Sequence, residues 1–247
     1  MGTSLSSFQG QRVLITGAGS GIGRAIARHL AAVGARLCVV GRTASALESL
    51  CEELRSLPTT VHAVVCDLDQ DDDVRRIRHH VEGNFGGLDI LVHSAGVIAM
   101  ESLDEVSLAE FDRHYRINVR APLLLTQVLL PLLRATRGQI VFVNSSLALR
   151  TKERAGAYAA SKHALKALAD TLRMEVNAAG VRVLSVFPGN TATPMQARIC
   201  RSLGQTYRPE QMLQPDDIAV AVRDALALPP TAELTDLHIR PARKPDS

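Results

Sequence analysis

The sequence predicts an α/β fold, a doubly wound parallel sheet with helices on both faces, and three observations carry that expectation. Short apolar runs alternate with helix-length segments from Arg12 to Ile239, the pattern of a parallel sheet covered on both sides. A glycine cluster, Thr16-Gly17-Ala18-Gly19-Ser20-Gly21-Ile22-Gly23, sits between the first apolar run and an alanine-rich helix. Finally, Gly17–Gly23, Asp67, Ala95-Gly96, Ser145 and Pro188-Gly189 each fall just after an apolar run. Such a fold gathers those positions at the carboxyl ends of its strands, where open α/β sheets bind their ligands.

Each element has a local reason. Arg12–Thr16 reads as the first strand, and Gly21–Val33 as a helix ended by Gly34, a residue that readily takes the left-handed turn at a helix end. Ala35–Val40 is the second strand, and Ala44–Ser56 a helix closed by Pro58, which cannot continue one. Val61–Val65, Asp69–Glu82 and Leu88–His93 then read as strand, helix and strand. Leu108–Ala135 reads as one long helix, with a bend expected near Pro122. Ile140–Asn144, Ala157–Ala179, Val181–Phe187, Pro215–Leu226 and Leu234–Ile239 complete the alternation. The 247 residues fit a single domain over 1–247, with ends 1–10 and 241–247 expected to be flexible.

Composition excludes several classes. Apolar residues at 46% and charged residues at 21% are ordinary for a globular chain. The formal charge is only +3, aromatics are 3%, and no basic run is interleaved with aromatics, so nucleic acid is not an expected partner. Cys38, Cys51, Cys66 and Cys200 show no CxxC or Cys/His spacing. Neither a metal nor a disulfide framework is therefore expected, and Cys38 and Cys66 read as small core residues of strands. The first eleven residues lack the apolar region of a signal peptide. The most apolar stretch, Pro122–Leu133, is too short to span a bilayer, so a cytoplasmic protein without a membrane partner is expected. That stretch is apolar on nearly every side, which suits a helix buried all round and predicts a homo-oligomer.

The glycine cluster has the form G-x-x-x-G-x-G. Glycines allow positive φ and close backbone approach to a pyrophosphate. The helix opening near Gly21 would offer free N–H groups and a favourable dipole to phosphates. Gly17, Gly19, Ser20, Gly21, Ile22 and Gly23 are thus candidates to hold a dinucleotide. A site for NAD would place an acid after the second strand to hold the ribose hydroxyls. Here the residues are Val40-Gly41-Arg42-Thr43: the acid is missing, glycine leaves room, and Arg42 can grip a 2′-phosphate. An arginine at a helix start opposes the helix dipole, which favours that reading over a merely solvated side chain. NADP(H) is therefore the expected cofactor, with NAD(H) as the second possibility. Asp67, followed by Leu68, could accept from an adenine amino group or cap the next helix.

Farther along, Tyr158-Ala159-Ala160-Ser161-Lys162 opens a helix, with Ser145 thirteen residues upstream of the tyrosine and Asn118 earlier still. TGxxxGIG, Ala95-Gly96, Asn118, Ser145, YxxxK and Pro188-Gly189…Thr193 occur together in one order, and in this the chain resembles the short-chain dehydrogenase/reductase family in its single-domain, Rossmann-type form. The resemblance covers nearly the whole chain. It implies an oxidoreductase acting on a small-molecule alcohol or ketone, with Asn118, Ser145, Tyr158 and Lys162 as catalytic tetrad. It also implies cofactor contacts from Ser94, Ala95, Gly96, Tyr158, Lys162, Pro188, Gly189, Thr191 and Thr193, a substrate lid over 190–212, and a tetramer.

The chemistry accounts for the residue types. Tyr158 and Lys162 are four apart on one helix and share a face. An unperturbed tyrosine, with a pKa near ~10, is a poor base at neutral pH. A neighbouring ammonium and the positive oxidised nicotinamide favour the phenolate. Lowering the pKa by about three units takes roughly 4 kcal/mol. Ser145 would hydrogen-bond the substrate oxygen on which charge develops. By resemblance Lys162 also holds the nicotinamide ribose, and Asn118 positions a proton-relaying water. Ser146, adjacent to Ser145, is the reserve candidate.

The chain departs from the family pattern at His93-Ser94, where Asn-Asn is usual, and at Leu147-Ala148-Leu149, where a glycine is common. Ser94 is shorter than asparagine and would alter the hydrogen bonds bracing the sheet, while His93 reads as a structural strand-end residue. The expected lid carries Arg198, Arg201 and Arg208, and the opposite wall Arg150, Lys152 and Arg154, which could attract an anionic substrate or simply be solvated. Met195, Ile199 and Leu203 could line the pocket. The rival class is a noncatalytic dinucleotide-binding regulator, which would have no need of the tetrad.

Overall fold

The computed structural model describes residues 8–243. Seven strands form one all-parallel sheet in the order β3-β2-β1-β4-β5-β6-β7. They are β1 Arg12–Thr16, β2 Arg36–Gly41, β3 Val61–Val65, β4 Ile90–His93, β5 Gln139–Val143, β6 Arg182–Pro188 and β7 Asp236–Ile239. The helices are α1 Gly21–Ala32, α2 Ala44–Leu54, α3 Asp71–Phe85, α4 Leu108–Tyr115, α5 Ala121–Thr136, α6 Gly156–Val176, α7 Pro194–Ser202 and α8 Pro215–Leu226. Parallel strands need crossovers, and each crossover helix covers a face, so the inner strands are buried on both sides. The alternation is visible in the core. Val13, Ile15, Leu37, Val39, Val141 and Val143 pack with α1, α2 and α8, whereas Leu14, Cys38, Val40, Leu91, Ile140 and Phe142 pack with α3, α5 and α6.

The chain runs β1, β2, β3 outward in one direction, then crosses back to place β4 on the other side of β1. Adjacent strand ends there lead into connections that diverge to opposite faces, leaving a crevice above β1 and β4. This is where Gly17 and Ser94–Gly96 emerge.

Several boundaries differ from the sequence expectation. The expected long helix over 108–135 is divided by a π-helical turn at Arg116–Arg120 between α4 and α5, rather than bent at Pro122. Pro122 has no N–H for a carbonyl four residues back, and the ladder widens instead, with the Ala121 N–H bonded to Arg116 O. The helix expected from Asp69 starts at Asp71, and the lid contains a helix, α7, that the periodicity did not reveal. Cys66 lies just past β3 rather than in it, buried, with its N–H bonded to Gly41 O at 3.0 Å. The expected flexible ends fall, for residues 1–7 and 244–247, outside the described residues. Next to them Phe8 is buried, 1% exposed, and the Gly10 N–H bonds Gly34 O at 2.9 Å.

Candidate active site

A cavity of about 530 Å³ opens along the carboxyl edge of the sheet. Of the residues selected from sequence for cofactor or chemistry, all line it except Gly23 and Asn118. Those two stand directly behind its wall.

The glycine loop is built for close approach. Gly17 has φ +68°, and a Cβ there would lie 2.8 Å from the Ala95 backbone. Any other residue would thus be strained and would push the β1 and β4 loops apart. Gly23 lets the first turn of α1 rest on the loop, since its Cβ would lie 2.6 Å from Gly17 O. Ser20, the N-cap of α1, makes no side-chain cap hydrogen bond, and the first turn holds no acidic residue. The leading N–H groups therefore keep their capacity for an anion. Beneath the loop, Thr16 Oγ1 accepts from the N–H groups of Ser94 and Ala95 at 3.1 and 3.2 Å. This is how β4 is tied to β1 where the usual asparagine is replaced by Ser94.

At the far end, Gly41, Arg42 and Thr43 line the cavity, and no carboxylate stands where ribose hydroxyls would be held. Arg42 is exposed and, among the described residues, has no ion-pair or hydrogen-bond partner. Asp67 lines the same end and uses Oδ1 to accept from the Asp69 N–H at 3.1 Å. It shapes the turn rather than capping α3, whose N-cap is Gln70. These residues fit a dinucleotide carrying an extra phosphate at its ribose: a cradle of free N–H groups at one place and an unpaired guanidinium at the other.

The chemical end is made of buried side chains. Tyr158 and Lys162 stand in the first two turns of α6, with the Lys162 ammonium 5.8 Å from the Tyr158 ring centroid. Lys162 is 3% exposed and its Nζ donates to Val143 O at 3.2 Å. Burial lowers its pKa to about 8. Burial pushes the Tyr158 phenol up to about 12, opposed by a hydrogen bond with Ser145. Ser145 and Ser146 both line the cavity, and the Ser145 Oγ accepts from the Leu147 N–H at 3.1 Å. Burial thus favours the protonated phenol, the reverse of the shift expected beside an ammonium.

Asn118 sits in the π-helical turn, fully buried. Its Oδ1 accepts from the Val97 N–H at 2.8 Å, while Nδ2 donates to Val97 O at 2.9 Å and Ser161 Oγ at 3.0 Å. The side chain is thus spent on the wall of the cavity. His93, as expected, is structural: 3% exposed, stacked on Phe142 at 4.7 Å and paired with Thr126 Oγ1 at 2.9 Å. Burial lowers its pKa to about 3.

The lid segment turns over the cleft and is pinned at its base by the Ala192 N–H to Leu213 O at 2.7 Å. Thr193 caps α7 by accepting from the Gln196 N–H at 3.2 Å. Met195 and Ile199 line the cavity, but Leu203 does not. Of the six basic residues named for the lid and facing wall, only Arg198 reaches the lining. Thr16, Ser161 and His114 also organise the site, and sequence reading passed over them because each is an ordinary residue of its element.

Comparison with known proteins agrees with this geometry. Residues 11–203 match the short chain dehydrogenase family, and the chain belongs to that family. It is 31% identical to a sepiapterin reductase of Chlorobaculum tepidum, over 93% of this chain and 95% of that protein. Among solved structures it resembles an alcohol dehydrogenase from Thermococcus sibiricus complexed with 5-hydroxy-NADP, with a TM-score of 0.86 and 28% identity. That likeness covers 97% of this chain and 100% of the other. It also resembles a 3-ketoacyl-(acyl-carrier-protein) reductase from Brucella melitensis complexed with NADH, at TM-score 0.83 and 28% identity, covering 96% and 99% of the two chains. No helix among the described residues is long and apolar enough to cross a membrane.

Proposed function

We propose that this protein is an NADP(H)-dependent oxidoreductase that interconverts a carbonyl and a secondary alcohol, with Tyr158 as the acid and base. The observation that carries the reading is a single cavity. Its floor holds Ser145, Tyr158 and Lys162, and its length is lined by the glycine loop and Arg42. A regulator that only bound dinucleotide would have no use for the buried ammonium beside a buried phenol.

The nicotinamide, when bound, supplies or takes the hydride. The chain's own groups handle the proton. In reduction, the Tyr158 hydroxyl, protonated at neutral pH, gives its proton to the substrate oxygen. Ser145 donates a hydrogen bond to the same oxygen as negative charge grows there. The phenolate left behind is stabilised by Lys162, whose pKa of about 8 keeps it mostly charged at neutral pH. In oxidation the same phenolate must first form, so that direction gains more from rising pH. Asn118 holds the wall with its side chain.

Arg42 supports the phosphorylated cofactor, since charge-assisted bonds to a 2′-phosphate contribute on the order of 1.5–3 kcal/mol. The protein also reads as a cytoplasmic homo-oligomer. Leu123 of α5 and Met174 of α6 are exposed on a single chain, as an association surface requires. The deciding experiment is a panel of carbonyls and alcohols with both nicotinamide cofactors. Absence of turnover with every substrate, despite tight NADPH binding, would favour the regulator.

A further inference from the structure

We propose that His114 is a positioning residue for the reaction, holding the substrate-side wall of the cavity and the back of Tyr158 in place; this rests on the reading of Tyr158 as proton donor. The residue lies outside every motif. It is the last-turn histidine of α4, fully buried, one helical turn before Asn118.

Its two ring nitrogens are both engaged. Nδ1 pairs with Glu110 O at 2.8 Å, with Glu110 Oε1 at 3.7 Å, and Nε2 pairs with the Ala99 N–H at 3.0 Å. A backbone carbonyl can only accept and a backbone N–H can only donate, so the ring carries its hydrogen on Nδ1 and accepts at Nε2. The Ala99 bond falls in an irregular stretch between β4 and α4 that has no ladder of its own. That stretch is fastened at alternate residues: Val97 by Asn118, Ala99 by His114, and Glu101 by a bridge to Ala155 at the foot of α6. Val97, held by the first fastener, and Ile98, between the first two, line the cavity. Meanwhile the His114 ring meets the Tyr158 ring edge-on, centroids 6.2 Å apart at 69°. One side chain thus sets both the wall against which a substrate lies and the ring that must present its hydroxyl. Among the described residues, none of the glycine loop is a hydrogen-bond or ring partner of His114.

The test compares His114→Phe, which keeps a ring but removes the acceptor, with His114→Gln, whose Oε1 can reach the position of Nε2. Steady-state kcat and KM for a carbonyl substrate are measured beside NADPH dissociation constants and melting temperatures. His114→Phe is expected to lower kcat/KM by about tenfold or more, because a buried N–H loses its partner. NADPH affinity should hold within about twofold, and His114→Gln should recover most of the loss. Unchanged kcat/KM in His114→Phe overturns the proposal, as does an equal loss of NADPH affinity, which would mark a merely structural role. If His114→Phe does not fold, His114→Gln against His114→Asn decides, since asparagine is too short to reach Ala99; equal kcat/KM in the two overturns it. Tyr158→Phe, run alongside, separates the two failures. Its retained activity sinks the reading of the site, whereas a dead Tyr158→Phe with a normal His114→Phe sinks this inference alone.

Discussion

The two ends of the cavity are made in different ways. The cofactor end is made of backbone: glycines that allow close approach, uncapped N–H groups, and one exposed guanidinium at Arg42. The chemical end is made of buried polar side chains, with Asn118, Lys162, Tyr158 and His114 all nearly inaccessible and each fastened to a neighbour. A backbone cradle works through the absence of side chains, so it tolerates change at its rim and fails when a Cβ is added. A buried polar network works through complete satisfaction, so each deletion leaves a partner stranded at high cost. Substitutions at the two ends should therefore fail differently, one in binding and the other in turnover.

The largest effect should come from Tyr158→Phe. The ring remains, so folding and NADPH affinity should change little. Turnover should fall by ~10²–10⁴-fold, the usual contribution of a positioned proton donor. Steady-state kinetics beside NADPH titration measures both, and retained activity would mean the proton comes from elsewhere. Lys162→Ala should break the contrast between the ends, damaging turnover and cofactor affinity together, because the ammonium faces both phenol and cavity. Ser145→Ala should reduce turnover more than Ser146→Ala.

At the cofactor end, Arg42→Asp should erase or reverse a preference of roughly ten- to hundredfold for NADPH over NADH, at 1.4 kcal/mol per decade. Fluorescence titration of both reduced cofactors reads it. Equal or tighter NADH binding by the unaltered protein would refute the assignment.

A smaller effect concerns stability against pH. Lys162 is lowered from 10.5 to about 8 by burial, so the folded state holds its proton less tightly than the unfolded chain does. Its contribution to stability is thus greatest above the unfolded value and is lost as pH falls toward the folded one. Burying the charge costs up to about 3 kcal/mol below that window. Replacing Lys162 with methionine should therefore raise the melting temperature more at pH 7 than at pH 10. An equal change at both would show that the ammonium is not desolvated. The least dramatic test is light scattering, where a monomer at micromolar concentration would remove the proposed oligomer.

Much was legible because it depends on local spacing. The strand–glycine–helix junction, the alternation that builds a parallel sheet, and a tyrosine four residues before a lysine on one helix face are properties of neighbours in the chain. Spacing also favours Ser145 over Ser146 as the candidate, and both line the cavity. Less legible were features that depend on what surrounds a residue. Periodicity over 108–135 gave a continuous helix, since a π-helical turn leaves no compositional mark. The lid helix α7 was missed because it is only nine residues long, opening on Pro194, too short for its period to stand out.

What the sequence by itself determined was the order of the elements, the class of fold, and which groups are candidates to bind a dinucleotide and move a proton. Only the tertiary structure decided their states. It buried Tyr158 until its phenol rose to about 12, and it spent the Asn118 amide on Val97 and Ser161. It also turned the unremarkable His114 toward Ala99 and Tyr158. The physical reason is that residue type and spacing are set along the chain. Desolvation and hydrogen-bond partnership are set by groups tens of residues away, which meet only when the sheet and its helices close around them.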